Sequence, residues 1–148
     1  MLKYFLILFV VALALAPLVQ FLPSKRQRKL ARMREYAALH GLFVEFRDAP
    51  EAPGGPAPPR DAIYYGKRLP TRRAAPVETA AWVHARQGWR CVAGGRSVPE
   101  QLQQLPGDIL AASVDQSSCG VYWTEASGEE VVEQIQQVLE RWSDALTH

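Results

Sequence analysis

Residues 109–146 read ILAASVDQSSCGVYWTEASGEEVVEQIQQVLERWSDAL, and they contain two strand patterns followed by a helix pattern. Residues 109–114 are almost continuously apolar, which is typical of a central strand. Residues 116–118 are polar and predict a turn, after which residues 120–124 return with aromatic and β-branched side chains. We therefore expect an antiparallel pair of strands in the middle of a sheet.

The segment after these strands is predicted to be an amphipathic helix. Ser127 and Glu130 fit a capping box at its start. One face is apolar and the opposite face is acidic or amide-bearing, so we expect the apolar face to cover the sheet. The apolar positions are Val131, Val132, Ile135, Val138, Leu139, Trp142 and Leu146. Antiparallel strands under a terminal helix are typical of the α+β class.

A β-hairpin is predicted over residues 78–93. Two strand patterns flank Gln87 and Gly88, a two-residue turn in which the glycine can supply a positive φ. This register places Arg86 opposite Trp89 and His84 opposite Cys91. One face then carries Trp82, His84, Arg86, Trp89 and Cys91, and we expect the other face, with Ala81, Val83, Ala85 and Val92, to point into the core.

Three residues of this hairpin form a candidate interaction patch: Trp82, Arg86 and Trp89. Aromatic side chains and arginine are enriched at binding hot spots, which favours a protein partner. Packing of the two tryptophans in the core or against another domain is the default interpretation of the same pattern. We identify no small-molecule substrate, no cofactor, no metal ligands and no catalytic residues, and we predict a non-enzymatic protein.

A thiol-dependent enzyme or redox protein is the alternative from another class. Cys91 beside His84 could form a thiolate–imidazolium pair, and Arg86 would help to lower the thiol pKa. Such a site also needs an oxyanion-stabilising group and a third residue that orients the base. The sequence offers neither.

The soluble domain is predicted to span residues 42–148. Residues 42–46 and 62–66 have strand patterns, and between them residues 48–60 hold five prolines and two glycines, which predicts an irregular loop. The expected fold is a small, mostly antiparallel sheet covered by the C-terminal helix.

The N-terminal residues 1–22 are almost wholly apolar and predict a transmembrane anchor, because about 20 helical residues cross a bilayer core. A basic juxtamembrane helix is expected over residues 23–41, capped by Ser24 and ended by Gly41. A cleaved signal peptide is the alternative, since Ala14-Leu15-Ala16 imitates a cleavage site. Pro17 after the cut and the basic run beyond it disfavour cleavage.

Six basic residues follow the anchor: Lys25, Arg26, Arg28, Lys29, Arg32 and Arg34. The positive-inside rule then predicts an inner-membrane protein with its N-terminus outside and its domain in the cytoplasm. These side chains either contact lipid headgroups or act only as a topology signal. The alternative is an exported, periplasmic domain, in which Cys91 and Cys119 could form a disulfide.

The net charge of +2 hides an uneven distribution. Residues 35–148 hold ten basic and fifteen acidic side chains, a balance of −5. Within them, residues 60–96 carry +6 and residues 97–148 carry −8. No nucleic-acid recognition motif accompanies the basic block, so we expect no nucleic-acid partner, and we expect the two blocks to face each other across the fold.

The N-terminal fifth of the chain resembles one known family. An apolar span that runs into Phe21-Leu22-Pro23-Ser24-Lys25-Arg26-Gln27-Arg28-Lys29 looks like the small bacterial translocase accessory subunit YajC. The body departs from that family, because it lacks a Gly-Asp-x-Val sequence followed by a Gly-Gly turn. The resemblance implies a bacterial inner-membrane accessory protein and assigns no functional residues.

Overall fold

The computed structural model describes residues 1–73 and 75–148, and it divides the chain into two units, Met1–Leu30 and Ala31–His148. Helix α2 (Lys25–Leu39) begins in the first unit and ends in the second. The fold class is α+β, as predicted, with three α-helices and one antiparallel sheet among the described residues.

Helix α1 (Leu2–Gln20) has a mean hydropathy of 2.5 and is long and apolar enough to cross a membrane. Its residues are all exposed. Pro17 lies inside the helix, near its end. A helix of this length and composition at an N-terminus is typical both of membrane anchors and of signal sequences.

The predicted start and end of α2 are confirmed. Ser24 Oγ accepts a hydrogen bond from the Gln27 N–H (3.2 Å), and Gln27 Oε1 accepts one from the Ser24 N–H (3.0 Å), which together form a capping box. At the other end Gly41 has a φ of +82°, and the Leu42 N–H donates to the Ala37 carbonyl (2.9 Å). The chain thereby reverses into the sheet.

The sheet has six strands in the order β1-β2-β6-β5-β3-β4, and every neighbouring pair is antiparallel. The strands are β1 (Phe43–Glu45), β2 (Ile63–Arg68), β3 (Ala80–Ala85), β4 (Gly88–Ala93), β5 (Ala111–Val114) and β6 (Ser118–Trp123). A short 3-10 helix (Glu100–Gln104) separates β4 from β5. The predicted central pair is therefore β5 and β6.

Helix α3 (Glu129–Thr147) lies across one side of the sheet and packs on β2 and β6. Its predicted apolar face is confirmed: every position of the stripe is buried except Leu146, which is half-buried. The predicted cap is wrong. Gly128 occupies the N-cap position, and the Ser127 hydroxyl instead donates to the Asp108 carboxylate.

The sheet has two differently covered faces. The helix-covered face carries Tyr65, Trp82, Ala112, Val121 and Trp123, and Trp82 meets Trp142 of α3 with 5.8 Å between ring centroids. The loop-covered face carries Tyr64, Val83, Ala111 and Tyr122, and the irregular segment after β1 contributes Ala49 to the same cluster. Residues 48–60 form no helix or strand, as predicted.

The β3–β4 hairpin forms, but in a register shifted by two residues from the prediction. The turn is Arg86-Gln87, Ala85 pairs with Gly88, and His84 pairs with Trp89 instead of Cys91. Gly88 keeps its positive φ (+111°) as the first residue of β4. This register stacks the His84 and Trp89 rings (centroids 4.7 Å apart, interplanar angle 6°), a contact that the predicted pairing would lose.

Candidate functional site

The β3–β4 hairpin lies at one end of the sheet, and β4 is an edge strand. Only β3 pairs with β4 among the strands of residues 1–73 and 75–148. The register shifts between Ala81 and Trp82, so that Val92 lies at a β-bulge. Four residues of β4, Gly88–Cys91, thus form a regular edge before the bulge interrupts it.

Trp82 does not belong to an exposed patch. It is 2% exposed, and its indole N–H donates to the Arg96 carbonyl (3.3 Å) while its ring packs on Trp142. Packing inside the domain, the default interpretation of Trp82, is therefore confirmed, and the Val83 face is not the only buried face of the hairpin among the described residues. Trp142 of helix α3 covers this face at Trp82, whereas the far end of the hairpin, at the turn of residues 86–87, is exposed.

Arg86 and Trp89 are placed at that far end. Arg86 is in the turn and exposed, and Trp89 is half-buried because one side of its ring lies on His84. The imidazole is fixed in turn, since its Nδ1 lies 2.9 Å from the Ile109 carbonyl oxygen. Arg90, which the sequence did not single out, is exposed on the opposite face from Trp89.

A cavity of about 260 Å³ lies beside this end of the hairpin. One wall is the proline-rich segment from Ala49 to Pro59, and the other is formed by β3, β4 and the start of β5. The lining is mostly apolar, with Arg90 and His84 as its charged or titratable members. Composition predicted that the proline-rich segment is irregular, but it gave no sign that the segment forms a cavity wall.

The two candidate thiol-site residues are not joined. Cys91 Sγ donates to the Ala93 carbonyl (3.2 Å), and His84 bonds to Ile109 and stacks on Trp89. Cys91 pairs with Trp82 across the hairpin, so no thiol–imidazole hydrogen bond forms in this register. The observation that motivated a thiolate–imidazolium pair, their direct cross-strand pairing, is absent.

Cys119 is fully buried in β6, and burial raises the pKa of its thiol to about 12. A disulfide with Cys91 does not fit the fold. Strands β6 and β4 are three strand spacings apart, roughly 14 Å, whereas bridged cysteines have Cα atoms within about 7 Å. Both cysteines are free. An exported domain would gain no Cys91–Cys119 bond.

The opposed charge blocks do not pair through salt bridges. Arg96 bonds to Glu78 (3.3 Å), within the basic block, and Arg73 donates to the Gln116 backbone and side chain. Over the described residues, no salt bridge joins residues 60–96 to residues 97–148. Arg86 and Arg90 are exposed cations at the hairpin, and the expectation that the two blocks face each other across the fold gains no support from ion pairs between the described residues.

A partly buried ion pair joins α2 to the segment just after β6. Glu125 is 7% exposed, and its carboxylate accepts two hydrogen bonds from Arg34 (2.7 and 3.0 Å) and one from the Tyr65 hydroxyl (2.6 Å). The hydrogen bond to Glu125 raises the pKa of Arg34. Glu125 has a φ of +59°, which is unusual for a residue with a side chain. No local pattern signals a pair so far apart in sequence.

The basic juxtamembrane residues fall into two groups. Arg34 forms a salt bridge with Glu125, so we no longer count it among the residues predicted to contact lipid headgroups. The other five are exposed: Lys25, Arg26, Arg28, Lys29 and Arg32. Their contact with lipid headgroups stays a prediction.

Across residues 1–73 and 75–148, no group of three or more His, Cys, Asp or Glu side chains is placed to hold a metal ion. No family model, curated protein or solved structure matches the chain. The features that bear on function are the geometry of the hairpin and the N-terminal helix.

Proposed function

We propose that this is a non-enzymatic, single-pass inner-membrane protein whose cytoplasmic domain binds another protein through the β3–β4 hairpin. The observation that carries the proposal is the far end of that hairpin, where an open strand edge, two solvated arginines and a fixed tryptophan lie together. Aromatic and arginine side chains are the types that dominate protein-binding hot spots.

The anchor supports the first half of the proposal. Helix α1 is apolar throughout, and five exposed basic residues follow within the first part of α2. Positive charge beside a span is retained on the cytoplasmic side, and each such residue near anionic lipid contributes about 1 kcal/mol. Retention of α1 as an anchor, rather than its removal as a signal sequence, is part of the proposal.

A pair of reporter fusions tests the topology. Alkaline phosphatase fused to the C-terminus should be inactive and a fluorescent protein at the same position should be bright. Replacing Lys25, Arg26, Arg28, Lys29 and Arg32 by Gln should reverse that pattern in part of the population. An active phosphatase fusion of the unaltered chain would place the domain outside the cytoplasm and contradict the proposed orientation.

Site-specific crosslinking in intact cells tests the binding surface. A photo-reactive amino acid at position 86 or 90 should yield a discrete adduct with another protein. The same amino acid at position 133 or 137, on the exposed face of α3, serves as the matched control. Adducts of equal yield at all four positions, or none at the hairpin, would refute the interaction surface.

A further inference from the structure

The two edges of the sheet are not equally protected. Edge strand β1 has three residues, and Arg47 just beyond it bonds to Glu45 (2.8 Å). Edge strand β4 is twice as long, and its sequence, Gly88-Trp89-Arg90-Cys91-Val92-Ala93, has a single charge. An edge strand presents backbone donors and acceptors that a further extended chain can use. By length, β4 is the edge that can accept one.

The two faces of β4 favour different side chains in a strand that pairs with it. Trp89 and Cys91 point to the side that α3 covers further along, and Arg90 points to the cavity side. Side chains directly opposite in antiparallel strands lie about 5 Å apart and interact in pairs. A strand added to β4 would therefore meet an indole on one face and a guanidinium on the other.

The exposed charges of the hairpin favour a partner segment of opposite charge. Arg86 and Arg90 are exposed and form no salt bridge within the described parts of the chain, whereas Arg96 and Arg47 each bond to carboxylates. Opposite charges across a strand pair stabilise it, and like charges weaken it. A second copy of this chain, paired through its own β4, would bring two Arg90 side chains and two turns with Arg86 together. An acidic partner fits the edge better than a second copy does.

We propose that β4 accepts an extended segment of a partner protein as a seventh strand. The segment has one acidic side chain opposite Arg90 and another at its end nearest the turn, toward Arg86. At the positions that pair with Trp89 and Cys91 its side chains are apolar. The bulge at Val92 limits the pairing to Gly88–Cys91, so the segment is short. This mode of recognition rests on the proposed function, because it takes the partner to be a protein.

Synthetic peptides and the full chain in detergent micelles test the proposal. The probe is a labelled eight-residue peptide of alternating Val and Glu, and its counterpart alternates Val and Lys. We expect the Val/Glu peptide to bind at low salt, to weaken as salt is raised, and to bind at least tenfold more tightly than the Val/Lys peptide. The double variant Arg86→Glu, Arg90→Glu should reduce the affinity about tenfold or more.

The matched control is Arg72→Glu, an exposed arginine of the same basic block. It should change the affinity less than twofold. If it weakens binding as much as the hairpin variant does, the peptide responds to overall charge and the site is wrong. The variant Arg90→Lys keeps the charge and should retain most of the binding.

N-methylation of the peptide backbone distinguishes binding by strand addition from binding through side chains alone. Two versions of the Val/Glu peptide carry N-methyl groups on alternate residues, so that one version blocks the edge facing β4 and the other blocks the outer edge. One version should lose binding and the other should keep it, with slowed amide exchange at residues 88–91. Equal behaviour of the two versions, or no binding of the unmodified peptide, would overturn the proposal.

These outcomes are separable from the proposed function. A partner adduct at position 86 or 90 in cells, combined with methylated peptides that bind alike, would keep the interaction surface and reject strand addition. An adduct between two copies of the chain at position 90 would make a second copy the occupant and reject the acidic segment.

Discussion

The two faces of the sheet are filled in different ways. The helix-covered face holds Trp82 and Trp123 under a 19-residue helix that adds Trp142, so it is packed by volume. On the loop-covered face, an aromatic ring lies directly on the backbone of the strands. Tyr64 lies over Gly66 and Gly120, where any Cβ would overlap its ring, and the segment above it has no regular secondary structure.

The comparison shows that one sheet can be stabilised by large buried side chains on one face and, on the other face, by a ring that lies directly on glycine backbone. On the loop-covered face the Tyr64 ring is close to the backbone of two neighbouring strands because both positions lack a side chain. Its hydroxyl meets Ser118 Oγ (3.0 Å), and Arg47 lies over the ring at 4.2 Å. Burial raises the pKa of Tyr64, so the hydroxyl stays neutral over the usual pH range.

The largest effect is expected on the helix-covered face. Trp142→Ala removes a 2% exposed ring that packs against Trp82, and truncations of this kind cost about 3–5 kcal/mol. Urea unfolding of the full chain in detergent, followed by far-UV circular dichroism, measures it. Trp142→Phe should cost less than half as much. Glu140→Ala on the exposed side of α3 is the control, and an equal loss there would show that α3 is not held by its buried face.

The helix-covered face was largely predictable from sequence. The 3.6-residue spacing of apolar positions identified the buried side of α3, and the apolar run at 109–114 identified a central strand. Period-2 alternation in the β3–β4 hairpin gave its two faces correctly, since a shift of two residues leaves them unchanged. It could not say which face α3 covers, and so it could not decide whether Trp82 belongs to an exposed patch or to the core.

The loop-covered face and the ion pair were beyond prediction. Tyr64, Gly66 and Gly120 meet only once the register of β2 and β6 is set, and the glycines carry no mark of that role. The sequence predicts Arg34 to be one more juxtamembrane cation, because no local pattern indicates that Glu125, just after β6, is its partner. Contacts that form only in the tertiary structure produce no periodic pattern in the sequence.

Gly120→Ala should have the second-largest effect. The new Cβ would overlap the Tyr64 ring, and overpacking of this kind costs roughly 1–3 kcal/mol. The same substitution in a Tyr64→Ala background should cost much less, because the ring it strikes is gone. A double-mutant cycle on urea unfolding gives the coupling. Additive effects would mean that the ring does not lie on Gly120.

Glu125→Gln should follow, at about 1–2 kcal/mol. It leaves the Arg34 guanidinium without its charged partner, but Arg34 is 36% exposed at its side chain, so water offsets part of the loss. Arg34→Gln with Glu125→Gln together should destabilise the domain less than the sum of the single changes. Arg32→Gln, an exposed arginine two residues away on α2, is the control. Additivity would contradict a direct pair.

Arg47→Ala should cost about 1 kcal/mol, because the guanidinium stacks on Tyr64 and also bonds to Glu45. Arg47→Lys keeps the charge but not the flat stacking, and should recover only part of the stability. If Lys restores all of it, charge alone matters on this face. Thermal unfolding of the full chain in micelles measures both variants against Arg60→Ala, an exposed arginine at the end of the same segment.

The smallest effect concerns Asp115, in the turn between β5 and β6. Burial alone would raise its pKa, but hydrogen bonds from Ser117 and Ser118, together with nearby Arg47, outweigh it and lower the pKa. A depressed carboxyl pKa adds stability above the unfolded value of about 3.9, and that stability is lost as pH falls through the folded value. Urea midpoints measured from pH 6 down to pH 3 should therefore fall more for the unaltered chain than for Asp115→Asn. Parallel curves would show that this turn carries no ionised-state hydrogen bonding, and the loop-covered face would then depend on Tyr64 and its glycines without electrostatic support from Asp115.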